Sequence, residues 1–173
     1  MKKPEVFEGD GIKHSVAPVR FGLVHLTKPL DLAMIAQNII ATDNMVVDTI
    51  GQTLDFNNSK IINKIKSWNI ENPTSLLENK SRHYESIEEY RLRNIGRIIG
   101  TVVDGGKNPF TYDWQDTDTI IIGGANGLSD KDVDKMDDLI TIPMSSKVDF
   151  LTTNTVVSAL TYHILTKRKF WDK

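Results

Sequence analysis

Short apolar runs alternate with amphipathic stretches along the first ninety residues. The run at residues 21–26 ends at a lysine and a proline, which is typical of a buried strand. After Asp31, an acceptable N-cap, apolar residues recur at helical spacing, and a second apolar run follows at residues 46–50. The pattern therefore predicts a strand, a helix and a second strand in succession.

Two more helices are predicted before residue 95. Residues 59–68 carry an apolar stripe beside three lysines, which indicates an amphipathic helix with a basic outer side. Residues 86–93 begin with a capping box made by Ser86 and Glu89. The stretch between them, residues 69–82, is the least regular part of the chain.

The second half of the chain repeats the alternation more clearly. Apolar runs at residues 97–103, 119–122 and 140–144 predict three strands. Ser129 and Asp132 form a second capping box that opens a short helix, and residues 151–171 predict a long final helix. We therefore expect an α/β fold with one mostly parallel sheet, covered by helices on both faces.

The amino-acid composition excludes several kinds of catalytic and metal-binding site. The chain of 173 residues has no cysteine, which excludes disulfides, thiolate-bound metals and thiol catalysis. Its four histidines show no metal-ligand spacing, and no apolar run approaches the roughly 18 residues of a membrane span. We expect a cytoplasmic protein that binds neither membrane nor metal.

The net charge of −2 is unevenly distributed. Residues 113–138 hold eight aspartates and two lysines, a balance of −6, so the remainder of the chain has a balance of +4. Basic clusters in that remainder could frame an RNA-binding face, although solvated helix surfaces would show the same pattern. The clusters are Lys60, Lys64 and Lys66; Lys80, Arg82, Arg91, Arg93 and Arg97; and Lys167, Arg168 and Lys169.

Three loops that each follow a strongly apolar strand are the candidate ligand site, since parallel sheets bind ligands beyond the carboxyl ends of their strands. They lie at residues 104–106, 123–127 and 143–146. Glycines in the first two would let a ligand approach the main chain closely. The second loop lacks both the dinucleotide fingerprint and a phosphate-loop lysine, so a plain Rossmann or P-loop protein is excluded.

Two of these segments carry a family resemblance. The stretch IIIGGANGLS at residues 120–129, followed by DLITIPM at residues 138–144, resembles the C-terminal half of the SPOUT superfamily, specifically the SpoU/TrmH-like RNA ribose methyltransferases. The layout of residues 21–44 is similar to the strand and helix of that family's first motif. The resemblance covers the chain from about residue 20, so residues 1–19 are treated as an N-terminal extension and residues 20–173 as a SPOUT-like domain.

The resemblance implies S-adenosyl-L-methionine as cofactor, bound in a C-terminal trefoil knot, and a homodimer whose partner completes the site. The broad apolar side of the final helix supports a dimer interface, with ordinary core packing as the alternative. The implied cofactor-binding residues are Thr101, Val103, Gly123, Gly124, Gly127, Ile142, Met144, Phe150 and Leu151.

The implied catalytic positions depart from the family pattern. Gln37 stands where family members have an arginine, Asp31 where they have an asparagine, and Asn154 where the third motif has a serine. A glutamine carries no fixed positive charge, so we expect Arg20 of the partner subunit, or a lysine, to substitute.

Two functions follow from this pattern. The first is an RNA methyltransferase acting on a ribose 2′-hydroxyl of tRNA or rRNA, and the alternative is a SPOUT-fold RNA-binding or cofactor-binding protein without transfer activity. A base acceptor is also compatible with the fold. A cationic group in the cofactor pocket would favour the enzyme, and its absence would favour the binding protein.

Overall fold

The computed structural model describes residues 16–172 and contains one six-stranded parallel sheet. The strand order is β3-β2-β1-β5-β4-β6. The strands are β1 (Val19–Val24), β2 (Met45–Ile50), β3 (His83–Tyr84), β4 (Ile98–Thr101), β5 (Thr119–Gly123) and β6 (Asp138–Ile140). The helices are α1 (Pro29–Thr42), α2 (Ser59–Ser67), α3 (Pro73–Leu76), α4 (Ile87–Arg93), α5 (Asp130–Val133) and α6 (Thr153–Lys167).

Helices cover both faces of the sheet, as predicted. Alternate residues of each strand point to opposite faces, so Phe21 and Leu23 join a core with α1, α2 and α6. Val24 and Ile121 join a second, smaller core on the other face with Tyr90 of α4. The sequence prediction of a mostly parallel, doubly covered α/β sheet is confirmed.

Two helix starts follow their capping boxes. The Ser86 hydroxyl accepts a hydrogen bond from the Glu89 amide at 3.1 Å, and α4 begins at the next residue. The Ser129 hydroxyl likewise accepts from the Asp132 amide at 3.2 Å and opens α5. Helix α1 differs from the prediction, because it starts at Pro29 and places Asp31 in its first turn rather than at the N-cap.

The last strand lies upstream of its predicted position. Strand β6 ends at Ile140, where it pairs with Thr101 of β4, while residues 142–144 form an irregular loop. Pro143 has no amide hydrogen to donate to a ladder, which is consistent with pairing ending before it. The prediction of a strand at residues 140–144 was therefore wrong, and its Ile-Pro-Met segment is free to line a site.

The irregular stretch at residues 69–82 contains the short helix α3 and leads into the two-residue strand β3. Neither element was predicted. Both are shorter than the periodic patterns on which a prediction depends. Strand β3 forms the sheet edge beside β2.

Most of the predicted N-terminal extension, residues 1–19, lies outside the described residues. Among residues 16–172, no helix is long and apolar enough to cross a membrane. In the same part of the chain, no group of three or more histidines and acidic residues could hold a metal ion.

Candidate functional site

A cavity of about 360 Å³ opens where β4 and β5 end. The segments after these strands form two of its walls, residues 101–103 and residues 123–127. A third wall comes from the chain between β6 and the first turns of α6. The cavity thus lies at the carboxyl ends of parallel strands, the position expected for a ligand in such a sheet.

The structure brings all nine predicted cofactor-binding residues to this one cavity. They come from three separate stretches of the chain that meet only because β5 lies beside β4 and β4 beside β6. The residues are Thr101, Val103, Gly123, Gly124, Gly127, Ile142, Met144, Phe150 and Leu151.

The loop after β5 is closed so tightly that glycine is needed in it. The Gly124 carbonyl accepts a hydrogen bond from the Gly127 amide at 2.9 Å, and Gly127 has a φ of 69°. A Cβ atom on Gly123 would lie 2.3 Å from the Gly127 carbonyl carbon, and one on Gly124 would lie 2.6 Å from the His25 carbonyl oxygen. Side chains at either position would push the loop out of shape.

His25 supports this loop from the end of β1. Its backbone is left-handed, with a φ of 57°, and its ring is exposed. The ring Nδ1 accepts a hydrogen bond from the Gln52 amide at 3.1 Å, so Nδ1 carries no proton in this arrangement. His25 therefore joins the loop after β2 to the main chain that packs under Gly124.

Two polar lining residues were not predicted. Thr153 is the first residue of α6, and its hydroxyl lies 3.5 Å from the Gly123 carbonyl oxygen. Asp149 contributes a carboxylate to the lining. Thr153 directly precedes Asn154, the position matched to the serine of the third motif, so a one-residue shift in that match would have found it. No sequence pattern distinguishes Asp149 from other loop aspartates.

The lining is largely apolar and carries no positive side chain. Among the described residues, the cavity is bordered by no lysine, arginine or histidine. Its apolar residues include Ile122, Ile140, Ile142, Leu151 and Val156. Within residues 16–172 of one chain, the cavity therefore has no cationic group of the kind that would favour the enzyme.

Asp31 and Gln37 lie on α1, outside the cavity lining. Asp31 is half-buried in the first turn, immediately beyond the loop that contacts Gly124. Gln37 is exposed, and six residues of helix separate the two positions by about 9 Å along the axis. Asp31 is the nearer of the two to the start of the helix, which follows β1 at the same edge of the sheet as the cavity.

Asn154 joins α6 to α1. Its Oδ1 accepts a hydrogen bond from Asn38 Nδ2 at 2.8 Å, and the same nitrogen donates to the Ser158 hydroxyl at 2.8 Å. Asn154 follows Thr153, which lines the cavity. The side chain proposed for chemistry is thus engaged in holding two helices together.

Arg20 does not meet the other predicted site residues. It pairs with Thr119 at the start of β5, whereas the cavity lining on β5 begins at Ile122, which pairs with Leu23. Arg20 is only 7% exposed and lies close enough to the buried Asp48 to lower the pKa of that carboxyl. Arg20 is therefore buried beside Asp48, and the structure does not bring it to the cavity of its own chain.

The predicted cationic surface is only partly exposed. Arg97 forms two hydrogen bonds with the buried carboxylate of Asp118, the shorter at 2.7 Å, and Lys80 is itself buried and donates to Asp43. Arg91 and Arg93 are also paired with carboxylates. The three lysines of α2, by contrast, are all exposed.

Helix α6 packs its apolar side into the protein's own core. Val157, Leu160, Ile164 and Leu165 are all buried within the larger core cluster. Ordinary core packing, the alternative left open above, is therefore enough to explain this apolar face. Its pattern carries no information about a dimer.

Solved structures with this fold include several methyltransferases. A protein from Bacillus anthracis, classed as an RNA methyltransferase, superposes with a TM-score of 0.72 at 22% identity, covering 88% of this chain and 95% of its own. A structure concerned with 2-OH methylation of C/U34 on tRNA gives 0.75 at 14% identity, covering 89% and 92%. The SpoU methyltransferase AviRb from Streptomyces viridochromogenes, in complex with AdoMet, gives 0.71 at 18%, covering 95% and 63%.

At 14–22% sequence identity, the similarity to these structures establishes the fold of the chain alone. No protein-family model matches the chain, and no curated protein matches it in sequence. The predicted SPOUT-like fold is confirmed by these superpositions, and the trefoil knot stays a prediction.

Proposed function

Because this chain has the fold of SpoU-type RNA methyltransferases, we propose that it is an S-adenosylmethionine-dependent RNA methyltransferase. The observation that carries the proposal is the meeting of nine predicted cofactor-binding residues at one cavity. They were chosen for their places in sequence, and three distant segments converge on the same space. The carboxyl ends of parallel strands are the usual place for such a ligand.

The cavity fits the proposed cofactor in size and in chemistry. A volume of about 360 Å³ is within the range of small-molecule sites, and an apolar lining suits an adenine ring. Main-chain amides and carbonyls around Gly123 and Gly124 can bond the ring edge and the polar groups. The Asp149 carboxylate is placed on the lining to accept hydrogen bonds from hydroxyl or amino groups.

The cofactor would supply a methyl group activated by a positive sulfur, and the protein's part is to position the acceptor. We propose Asp31, in the first turn of α1, as the side chain that accepts a proton from an RNA hydroxyl. Asn154 is a positioning residue, because its bond to Asn38 fixes α6 against α1. We propose a ribose 2′-hydroxyl of tRNA or rRNA as acceptor and the cytoplasm as location.

A homodimer forms part of the proposal. Leu30 and Met34 lie one turn apart on α1 and are 48% and 37% exposed, beside Asp31 and Gln37. Covering two large apolar side chains at this position would remove them from water and bring a second chain next to the cavity. A monomer in sedimentation equilibrium at micromolar concentration would contradict it.

One observation favours a second function. Because no cation borders the cavity within the described chain, a SPOUT-fold protein that binds the cofactor or RNA without transferring a methyl group is the alternative. The two functions differ in whether a partner chain supplies the cation.

Calorimetric titration and a transfer assay separate the possibilities. We expect S-adenosylmethionine and S-adenosylhomocysteine to bind, and tritiated methyl groups to appear on the ribose of bulk RNA from cells lacking this protein. Binding without transfer would support the alternative function. Absence of cofactor binding at millimolar concentration would overturn the methyltransferase and the cofactor-binding form of the alternative. Label on a base would overturn the ribose assignment.

A further inference from the structure

A second and larger cavity of about 740 Å³ lies along the other side of the molecule. Helices α2 and α3, the loop after β2 and the edge strand β3 enclose it. In the sheet, β1 and β2 lie between β3 and β5, so the two cavities are separated by roughly 15 Å across the strands. The second cavity is therefore distinct from the proposed cofactor site.

Its lining is polar and almost balanced in charge. Asn57, Asn72 and Asn79 present exposed side chains with both donor and acceptor atoms, and hydroxyl groups lie between them. Lys66 and Arg82 are matched by Asp55 and Glu78. Such a lining does not suit a bare anion such as phosphate. It suits a neutral group with several donors and acceptors along its edge.

The surface of α2 beside the cavity is basic, unlike the charge-balanced lining. Lys66 is the last of three exposed lysines on α2, which has no acidic residue. The predicted cluster that contains Arg93 and Arg97 is paired with carboxylates instead, as in Arg97–Asp118 and Arg93–Glu89. Helix α2 is thus a cationic surface leading to a charge-balanced cavity.

An unpaired nucleotide of RNA has both properties that this arrangement requires. Its base carries a neutral edge of donors and acceptors, and its backbone carries a negative charge. Proteins read RNA sequence mainly in loops and ends, where bases can be turned outward. Asparagine side chains can bond a base edge with both of their polar atoms.

We propose that this cavity binds an unpaired nucleotide of the RNA substrate, with Lys66 contacting the adjoining backbone phosphate and the asparagine side chains contacting the base. The inference rests on the proposed function for the nature of the substrate. It adds a second RNA contact, away from the site of transfer, that selects single-stranded over paired RNA.

The test compares two double variants that each remove one charge and one amide. Lys66→Ala with Asn57→Ala changes two lining residues, neither of whose side chains forms a hydrogen bond or ion pair within residues 16–172. Lys60→Ala with Asn63→Ala makes the same chemical change on α2 but outside the lining. The probe is a fluorescein-labelled single-stranded RNA of twelve nucleotides with mixed sequence, and the control ligand is its duplex.

We expect the lining variant to bind the single strand at least tenfold more weakly and the outer variant less than threefold more weakly. Binding of the duplex should change to the same small extent in both. Equal losses in the two variants would show diffuse charge attraction and overturn the proposal. No detectable binding of the single strand by the unmodified protein would also overturn it.

Calorimetric titration of both variants with S-adenosylmethionine distinguishes this proposal from the proposed function. We expect unchanged cofactor affinity in each variant, because neither pair touches the first cavity. Intact cofactor binding with no selective loss of RNA would refute the nucleotide site alone. A protein that binds RNA selectively here but never the cofactor would refute the proposed function alone. A photocrosslink from a 4-thiouridine probe should map to residues 55–57 or 72–83, and crosslinks elsewhere only would contradict the site.

Discussion

Gly123 occupies the most restricted position in the wall of the first cavity. The atoms that an added Cβ would meet are main-chain atoms of Gly127 and Leu128, at 2.3 to 2.6 Å, so no side chain can rotate away to make room. The loop itself must move. Because that loop forms one wall, its displacement changes the shape of the cavity.

Replacing Gly123 with alanine should weaken S-adenosylmethionine binding at least tenfold, measured by calorimetric titration. Gly105→Ala is the control, since a Cβ there would meet no atom within 4 Å and Gly105 does not line the cavity. Gly105 has a φ of 83°, so its replacement costs about 1 kcal/mol of backbone strain. We expect cofactor affinity within twofold of the original for this control. Unchanged affinity in Gly123→Ala would count against this cavity as the cofactor site.

The contact between α1 and α6 includes one polar cluster beside its apolar packing. Asn38 donates from a single nitrogen to Asn154 and to Ser158, both at 2.8 Å, and the two acceptors lie one helical turn apart on α6. Since α1 carries Asp31 and α6 carries Thr153, this cluster fixes the two helices that flank the proposed acceptor position.

Asn38→Ala should lower the free energy of unfolding by about 1–2 kcal/mol, and Ser158→Ala by about 1 kcal/mol, because partly buried hydrogen bonds are lost. Urea unfolding of the single and double variants measures the coupling, which we expect to be about 0.5–1 kcal/mol. If Asn154 only positions α6, Asn38→Ala and Asn154→Ala should reduce methyl transfer to a similar extent. A much larger loss for Asn154→Ala would assign it a direct part in catalysis.

Across the whole molecule, stability should depend on pH through one buried carboxyl. Asp48 of β2 is 2% exposed and accepts a hydrogen bond from the Arg82 amide at 2.9 Å. Burial raises the pKa of Asp48 to about 7, against the lowering effects of that hydrogen bond and of Arg20 and Arg82. Asp48 is therefore protonated in the folded state over a range where it is ionised in the unfolded chain.

Proton binding by Asp48 determines whether rising pH stabilises or destabilises the folded state. Between pH 4 and pH 7 the folded state holds the proton more tightly, so rising pH favours unfolding, by roughly 4 kcal/mol at most from this group. Asp48→Asn keeps the acceptor oxygen and removes the titration. Relative to this variant, the unmodified protein should lose stability as the pH rises from 4 to 7 and change little above that. A difference in the urea unfolding free energy that is the same at pH 5 and pH 7.5 would contradict the raised pKa.

Local patterns in the sequence were enough to predict features that depend on neighbours in the chain. The two capping boxes were predicted because a serine hydroxyl bonds an amide three residues away. The five longer strands were found, with a displaced boundary at β6, because buried parallel strands are continuously apolar. Strand β3 was missed because pairing with β2, and not its own two residues, defines it as a strand.

The glycine, Ile-Pro-Met and Leu151 segments could be assigned to one site from sequence because their family resemblance carried the three-dimensional arrangement with it. The positions and partners of the charged residues could not be predicted in this way. Arg20 was expected at the active site and Arg97 at an RNA-binding face, yet the fold places one beside Asp48 and the other on Asp118. Those partners are 28 and 21 residues distant in sequence. By itself the sequence determined the strands, the helix caps and the loops that follow the strands. Strand order alone decided which charges are paired and where the second cavity lies, because contacts between distant segments exist only after the sheet has formed.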